Sequence, residues 1–153
     1  MLQDNLVVPV GFDIEKDPEG FPKSRDAEEL LCKPLDTECS LCVVDSVPFY
    51  LRNVAYGDTI RTSADSSGYL EFAEIVRRGG YSVYRILLRT IDNKQEVVKK
   101  LLDLGALVEH DEKLIALAVR HTGTEDPVLD YVLEGKRLGL WGAQDGYVFQ
   151  QGT

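Results

Sequence analysis

Histidine is almost missing from this chain: two in 153 residues, beside three cysteines, one methionine and one tryptophan. Two histidines cannot supply a multi-histidine metal site. In an extended hairpin His110 and His121 would also stand roughly 20 Å apart at ~3.3 Å per residue, too far to share a proton relay. Ser24, Ser46 and Ser82 lack the Gly-x-Ser-x-Gly turn that presents a nucleophile. A P-loop, a GxGxxG turn and an EF-hand loop are also missing. No apolar run approaches the roughly 20 residues of a membrane span. The start, MLQDNLVVPV, lacks the basic segment and apolar core of a signal peptide. These absences predict a cytoplasmic chain that is not an enzyme, with no metal, no cofactor and no membrane association.

Basic charge is scarce as well. Seventeen Lys and Arg face twenty-six Asp and Glu, a net charge of −9. Such a balance repels phosphate backbones, so nucleic acid is excluded as an expected partner. The excess is uneven: residues 1–45 carry −7 and residues 46–153 carry −2. An acidic N-terminal third fits either plain solubility or a docking face for a basic partner.

The apolar pattern predicts an α+β chain in two parts, a β-rich unit over residues 1–80 and a ferredoxin-like unit over 81–153, joined in one continuous body. In the first, Leu6 to Glu15 is extended and ends in the turn-forming Lys16-Asp17-Pro18-Glu19-Gly20. Ser24 to Cys32 and Cys39 to Val44 read as an extended pair. Further short segments, separated by Gly57-Asp58 and Ser67-Gly68, make a meander, as a small sheet or partial barrel. In the second, Ser82 to Arg89 is a strand, and Asp92 with Gln95 forms a capping box. A helix then aligns Val97, Leu101 and Leu104. Leu107–His110 and Leu114–Val119 form a hairpin, and a second helix capped by Thr124 aligns Val128, Leu129 and Val132. A last strand over Gly146–Phe149 completes β-α-β-β-α-β. An RNA-recognition module shares that order, but Leu114 to Val119 offers no aromatic for base stacking.

The stretches Phe12-Asp13-Ile14-Glu15, Gly20-Phe21-Pro22, Val47-Pro48-Phe49, Val54-Ala55-Tyr56-Gly57-Asp58 and Arg78-Gly79-Gly80-Tyr81-Ser82-Val83-Tyr84-Arg85 together resemble the bacterial domain of unknown function 4265 family over most of the chain. Where the family pattern reads Gly-Gly-His-Ser-Thr, this chain has Tyr81 and Val83 at the histidine and threonine. The resemblance implies a small cytoplasmic bacterial protein and brings no agreed activity.

Three groups of residues could carry function. Cys39-Ser40-Leu41-Cys42 has C-x-x-C spacing, with Cys32 upstream. Placed on a strand, positions i and i+3 point to opposite faces, so packed thiols are expected instead of a metal or redox pair. The basic island of Arg77, Arg78, Gly79, Gly80, Ser82, Arg85 and Arg89 could grip an anion, with Arg85 and Arg89 on one exposed strand face, as in a small-molecule sensor. The acidic third suggests a protein-binding face: Asp13, Glu15, Asp17, Glu19, Asp26, Glu28 and Glu29 would steer a basic partner, while Phe21, Phe49, Tyr50 or Trp141 anchor it. A bacterial immunity protein that occludes a basic toxin domain is the function this favours, with the anion sensor as the alternative.

Overall fold

The structure, a computed structural model, describes residues 6–15, 26–120 and 126–150. Alternation of apolar and polar residues builds the first half. β1 (Val8–Asp13) pairs antiparallel with β2 (Ala27–Pro34), turning Val10, Phe12, Leu30 and Cys32 inward. β3 (Leu41–Val44), β4 (Thr59–Ala64) and β5 (Leu70–Arg77) follow as antiparallel neighbours. Two register shifts between β4 and β5, at Thr59/Ile60 and Arg61/Thr62, bend these strands. That curvature brings β5 back to β1 in a parallel seam, Val10 opposite Leu70 and Gly11 opposite Glu71, and the barrel closes. Gly11 admits the Tyr69 ring, which a side chain there would meet at 2.8 Å. The Tyr69 hydroxyl reaches across to donate to Glu29 at 2.7 Å.

The second half is a four-stranded antiparallel sheet of β6 (Tyr81–Leu88), β7 (Leu107–Asp111), β8 (Leu114–Arg120) and β9 (Trp141–Asp145), in the order β7-β8-β6-β9. Helices α1 (Lys94–Asp103) and α2 (Pro127–Arg137) lie on one face. Their buried Val97, Leu101, Val128 and Val132 share a cluster with Ile86, Leu88, Ile115, Leu117 and Trp141. The opposite face is covered too. Val83, Ala116 and Ala118 pack against Val47 and Ala55 from the connection between β3 and β4.

The fold class predicted from the sequence is therefore corrected. Among the described residues the chain has nine strands and only two short helices, of 10 and 11 residues. The first half is a closed barrel in place of an open meander, and the second is not a ferredoxin-like half with one helix-covered and one free face. Its central strand β6 is buried on both sides from Ser82 to Ile86 because the barrel's connection lies across it. Three local expectations change as well. The last strand is Trp141–Asp145, upstream of Gly146–Phe149. Asn93, not Asp92, precedes α1 and makes no side-chain cap. Asp126 caps α2 by accepting from the Leu129 amide at 2.9 Å, with Pro127 in the first turn, while Thr124 lies outside the described residues.

Candidate functional site

Residues 45–58 form the connection on which the molecule's polar interior is organised. Three carboxylates and two guanidiniums hold it. Glu28 of β2 accepts from the Phe49 and Tyr50 amides at 2.7 and 2.9 Å, and Glu109 of β7 accepts from the Val47 amide at 2.5 Å. Beneath it Arg85, only 2% exposed, donates to the Pro48 carbonyl at 3.4 Å and to the Leu51 carbonyl. At its end the fully buried Asp58 accepts from the Ala55 amide, from Arg78 and from the Gly79 amide, at 3.0, 2.8 and 3.0 Å.

Burial raises the Glu109 carboxyl above its ordinary pKa, and the Glu28 and Asp45 charges add to this against the Val47 amide. A carboxyl with a raised folded pKa holds its proton more tightly folded than unfolded. It favours the fold below its ordinary value, and that contribution is lost as pH rises through the raised value. Glu109→Gln, which keeps an acceptor for Val47, is thus expected to unfold at higher temperature than the native chain at neutral pH. Its advantage should vanish once the buffer is acid enough to protonate an ordinary carboxylate, as paired thermal melts from neutral to acid pH would show.

The basic island does not converge on an anion. Arg85 was expected on an exposed face with Arg89, but it is interior, because strand alternation assigns a face without revealing that the face is covered. Its guanidinium is pushed down to about 10 by burial. Arg78 pairs with Asp58, also donates to the Asn53 carbonyl at 2.8 Å and lies 4.0 Å over the Tyr147 ring. Ser82 is buried and accepts from the Phe149 amide at 2.9 Å. Arg89, past the end of β6, donates to the Gly139 carbonyl at 2.5 Å. Arg77 is exposed at the end of β5, and Gly79 and Gly80 form the crossing to β6. Arg120 donates to the Gly79 carbonyl at 2.9 Å.

The acidic residues, in contrast, gather around two adjoining grooves. One, of about 260 Å³, is lined by Asp13, Glu28, Glu29 and Glu71 with Phe12, Tyr69 and Phe72. The other, of about 220 Å³, shares Ala27, Glu28 and Glu29 and adds Phe49, Tyr50 and Asp111. No basic side chain appears among the described residues lining either groove. Phe12 and Phe72 stack with centroids 4.9 Å apart, and Tyr69 is pushed up to about 12, by burial first and then by its bond to Glu29. It therefore stays a neutral donor at physiological pH.

Of the expected docking residues, the fold brings together Asp13, Glu28, Glu29, Phe49 and Tyr50. Asp26 is exposed just before β2, and Glu15 accepts from Asn53 at 2.9 Å. Asp17, Glu19 and Phe21 lie outside the described residues, as does His121. Trp141 is not available to a partner. It is 3% exposed, and its indole N–H donates to the Val132 carbonyl at 2.9 Å, because β9 begins at this residue and turns it under α2. Sequence reasoning missed Tyr69, Glu71, Phe72 and Asp111. The first three reach the groove only through the β1–β5 seam, and Asp111 arrives from the other sheet, so no sequence neighbour signals either.

The cysteines depart from expectation in geometry. β3 starts at Leu41, so Cys39 is not on the strand; it sits in the preceding turn with a left-handed φ of 60°. The rule that i and i+3 face opposite ways on a strand therefore does not apply to Cys39 and Cys42. Cys32 and Cys42 are buried and Cys39 is half-buried, all as free thiols.

Among the described residues no helix is long and apolar enough to cross a membrane. A solved structure described as that of a hypothetical protein from Neisseria gonorrhoeae shares the fold, with a TM-score of 0.72 at 9% identity over 97% of this chain and 100% of that one. No curated protein matches the chain. The sequence model of the family described as Domain of unknown function (DUF4265) matches residues 28–143, which takes in β2 through most of β9. With three quarters of its length matched, the chain belongs to the DUF4265 family.

Proposed function

We propose that this chain is a non-catalytic protein-binding module that docks a basic partner over the two acidic grooves, acting as an immunity protein against a basic bacterial toxin domain. The observation that carries it is the convergence of Asp13, Glu29, Glu71 and Asp111 with the aromatic walls of Phe49, Tyr50, Tyr69 and Phe72, from five separate stretches of chain. Carboxylates at a rim raise the encounter rate with a cationic surface, and half-buried aromatic rings supply anchoring area. Glu28 has a separate part: its carboxylate is committed to the Phe49 and Tyr50 amides and shapes the wall. The anion-sensor alternative draws no such support, since Arg78, Arg85 and Arg89 are turned to acceptors within the chain.

The test is co-purification with the C-terminal domain of the protein encoded beside this gene, at low and high salt, followed by association kinetics. The triple variant Asp13→Lys, Glu29→Lys, Glu71→Lys is expected to slow association about tenfold or more at low salt, with the difference shrinking as salt rises. Absence of a complex at both ionic strengths, or an association rate untouched by the reversals, would refute the acidic-docking mechanism.

A further inference from the structure

The turn joining β2 to β3 holds two thiols in an arrangement that the docking surface does not use. Its frame is rigid. The Asp36 carboxylate accepts from the Ser40 amide at 2.8 Å and from the Ser40 hydroxyl, and the Leu35 amide donates to the Leu41 carbonyl at 2.8 Å. Within that frame Cys39 takes a φ of 60°, a conformation a non-glycine residue adopts only when its surroundings impose it. The consequence is a fold-back. The Cys42 thiol donates to the Cys39 carbonyl oxygen at 3.4 Å, and the Thr62 hydroxyl fixes the same oxygen at 2.6 Å. A residue's carbonyl oxygen lies only roughly 3 Å from its own Cβ, given standard backbone dimensions. The Cys42 sulfur thus lies no more than roughly 6–7 Å from the Cys39 Cβ, and the two thiols are electrostatic neighbours.

We propose that Cys39 and Cys42 form a reversible dithiol–disulfide site that reacts with low-molecular-weight disulfides such as oxidised glutathione. The two thiols differ in access as such a pair requires. Cys39 is half-buried, whereas Cys42 is fully buried. Burial pushes the Cys42 thiol up to about 11, and neighbouring Cys39 adds to this, so the first attack falls to Cys39.

The Cys39 thiol gives up its proton and its sulfur attacks one sulfur of the glutathione disulfide. The glutathione S–S bond breaks, and one glutathione leaves as thiolate and takes up that proton. Cys42 then loses its proton and attacks the Cys39 sulfur of the mixed disulfide, expelling the second glutathione, which is protonated in turn. Two protein thiols are oxidised and one disulfide is reduced to two thiols. Cys32 is the spectator. It stands opposite Val44, two positions along from the Pro34–Cys42 pair, is wholly buried, and burial first, then neighbouring Cys42, push its thiol up to about 12.

The experiment uses the full chain, incubated with oxidised glutathione and read by intact mass and peptide mapping. The native chain should lose about 2 Da, the two hydrogens of a dithiol. The map should show a Cys39–Cys42 link with Cys32 still alkylatable after denaturation, and dithiothreitol should reverse the change. Cys42→Ser should stop at a stable glutathione adduct on Cys39, and Cys39→Ser should remain unmodified. Three free thiols after native incubation, an adduct on Cys39 of the native chain that never resolves, or a link that uses Cys32 would each overturn the proposal. The mass change is read on the native chain itself, so an unstable variant leaves the test standing.

Discussion

Asp58→Ala is expected to destabilise the protein by about 3–5 kcal/mol, the usual cost of removing one partner from a buried ion pair. Asp58 is 0% exposed and its two oxygens take three donors, the Arg78 guanidinium and the Ala55 and Gly79 amides. Alanine leaves the two amides and one arm of the Arg78 guanidinium without their acceptor. The same corner tolerates no added bulk: a Cβ on Gly79 would stand 2.3 Å from the Gly57 carbonyl oxygen, a clash with backbone that side-chain rotation cannot relieve. Asp58→Asn separates charge from shape. It keeps one carbonyl acceptor, so a smaller loss, about 1–3 kcal/mol, is expected. Urea unfolding measures both. An alanine variant as stable as the native chain would mean that the Arg78 pair contributes nothing.

Gly135→Ala in α2 is expected to destabilise although alanine is the better helix former by about 1 kcal/mol. The Cβ would fall 1.9 Å from Cζ2 of Trp141, whose ring is tied down by its N–H bond to Val132. Overpacking of this kind costs typically 1–3 kcal/mol, and a pinned aromatic ring sets the upper end, so a net loss of roughly 2 kcal/mol follows. Trp141→Leu opens the space. In that background the same Gly135→Ala change should become neutral or stabilising, and the thermal midpoints of the four chains test the sign directly. A higher midpoint for Gly135→Ala in the native background would contradict the packing account.

The local patterns were legible where one period dominates. The helix stripes at Val97 and Leu101 and at Val128 and Val132, the β7–β8 hairpin and the alternating β1 and β2 all follow from spacing alone. What was illegible depends on residues distant in sequence. Barrel closure rests on Val10 meeting Leu70 and Gly11 meeting Glu71, and nothing near either segment announces the other. Arg85 looked exposed because alternation names its face, and only the arrival of Pro48 and Leu51 makes that face interior. Trp141 reads as a surface anchor because the Gly146–Phe149 pattern sets the last strand downstream of it, whereas β9 starts at Trp141 itself. The acidic character of the two grooves is visible in residues 1–45, while Tyr69, Phe72 and Asp111 join their walls from distant stretches.

The parallel seam of the barrel spans only two residue pairs, against six between β1 and β2. Protection from hydrogen exchange follows the free energy of the smallest opening that frees an amide, and a short seam at a strand's end opens more readily than a ladder. The barrel is therefore least cooperative along the line where Gly11 meets Glu71, beside the groove that Tyr69 and Phe72 line. Seam amides should exchange by local breathing while β6 and β8 exchange only with global unfolding, so a ligand seated in that groove would slow exchange at the seam first.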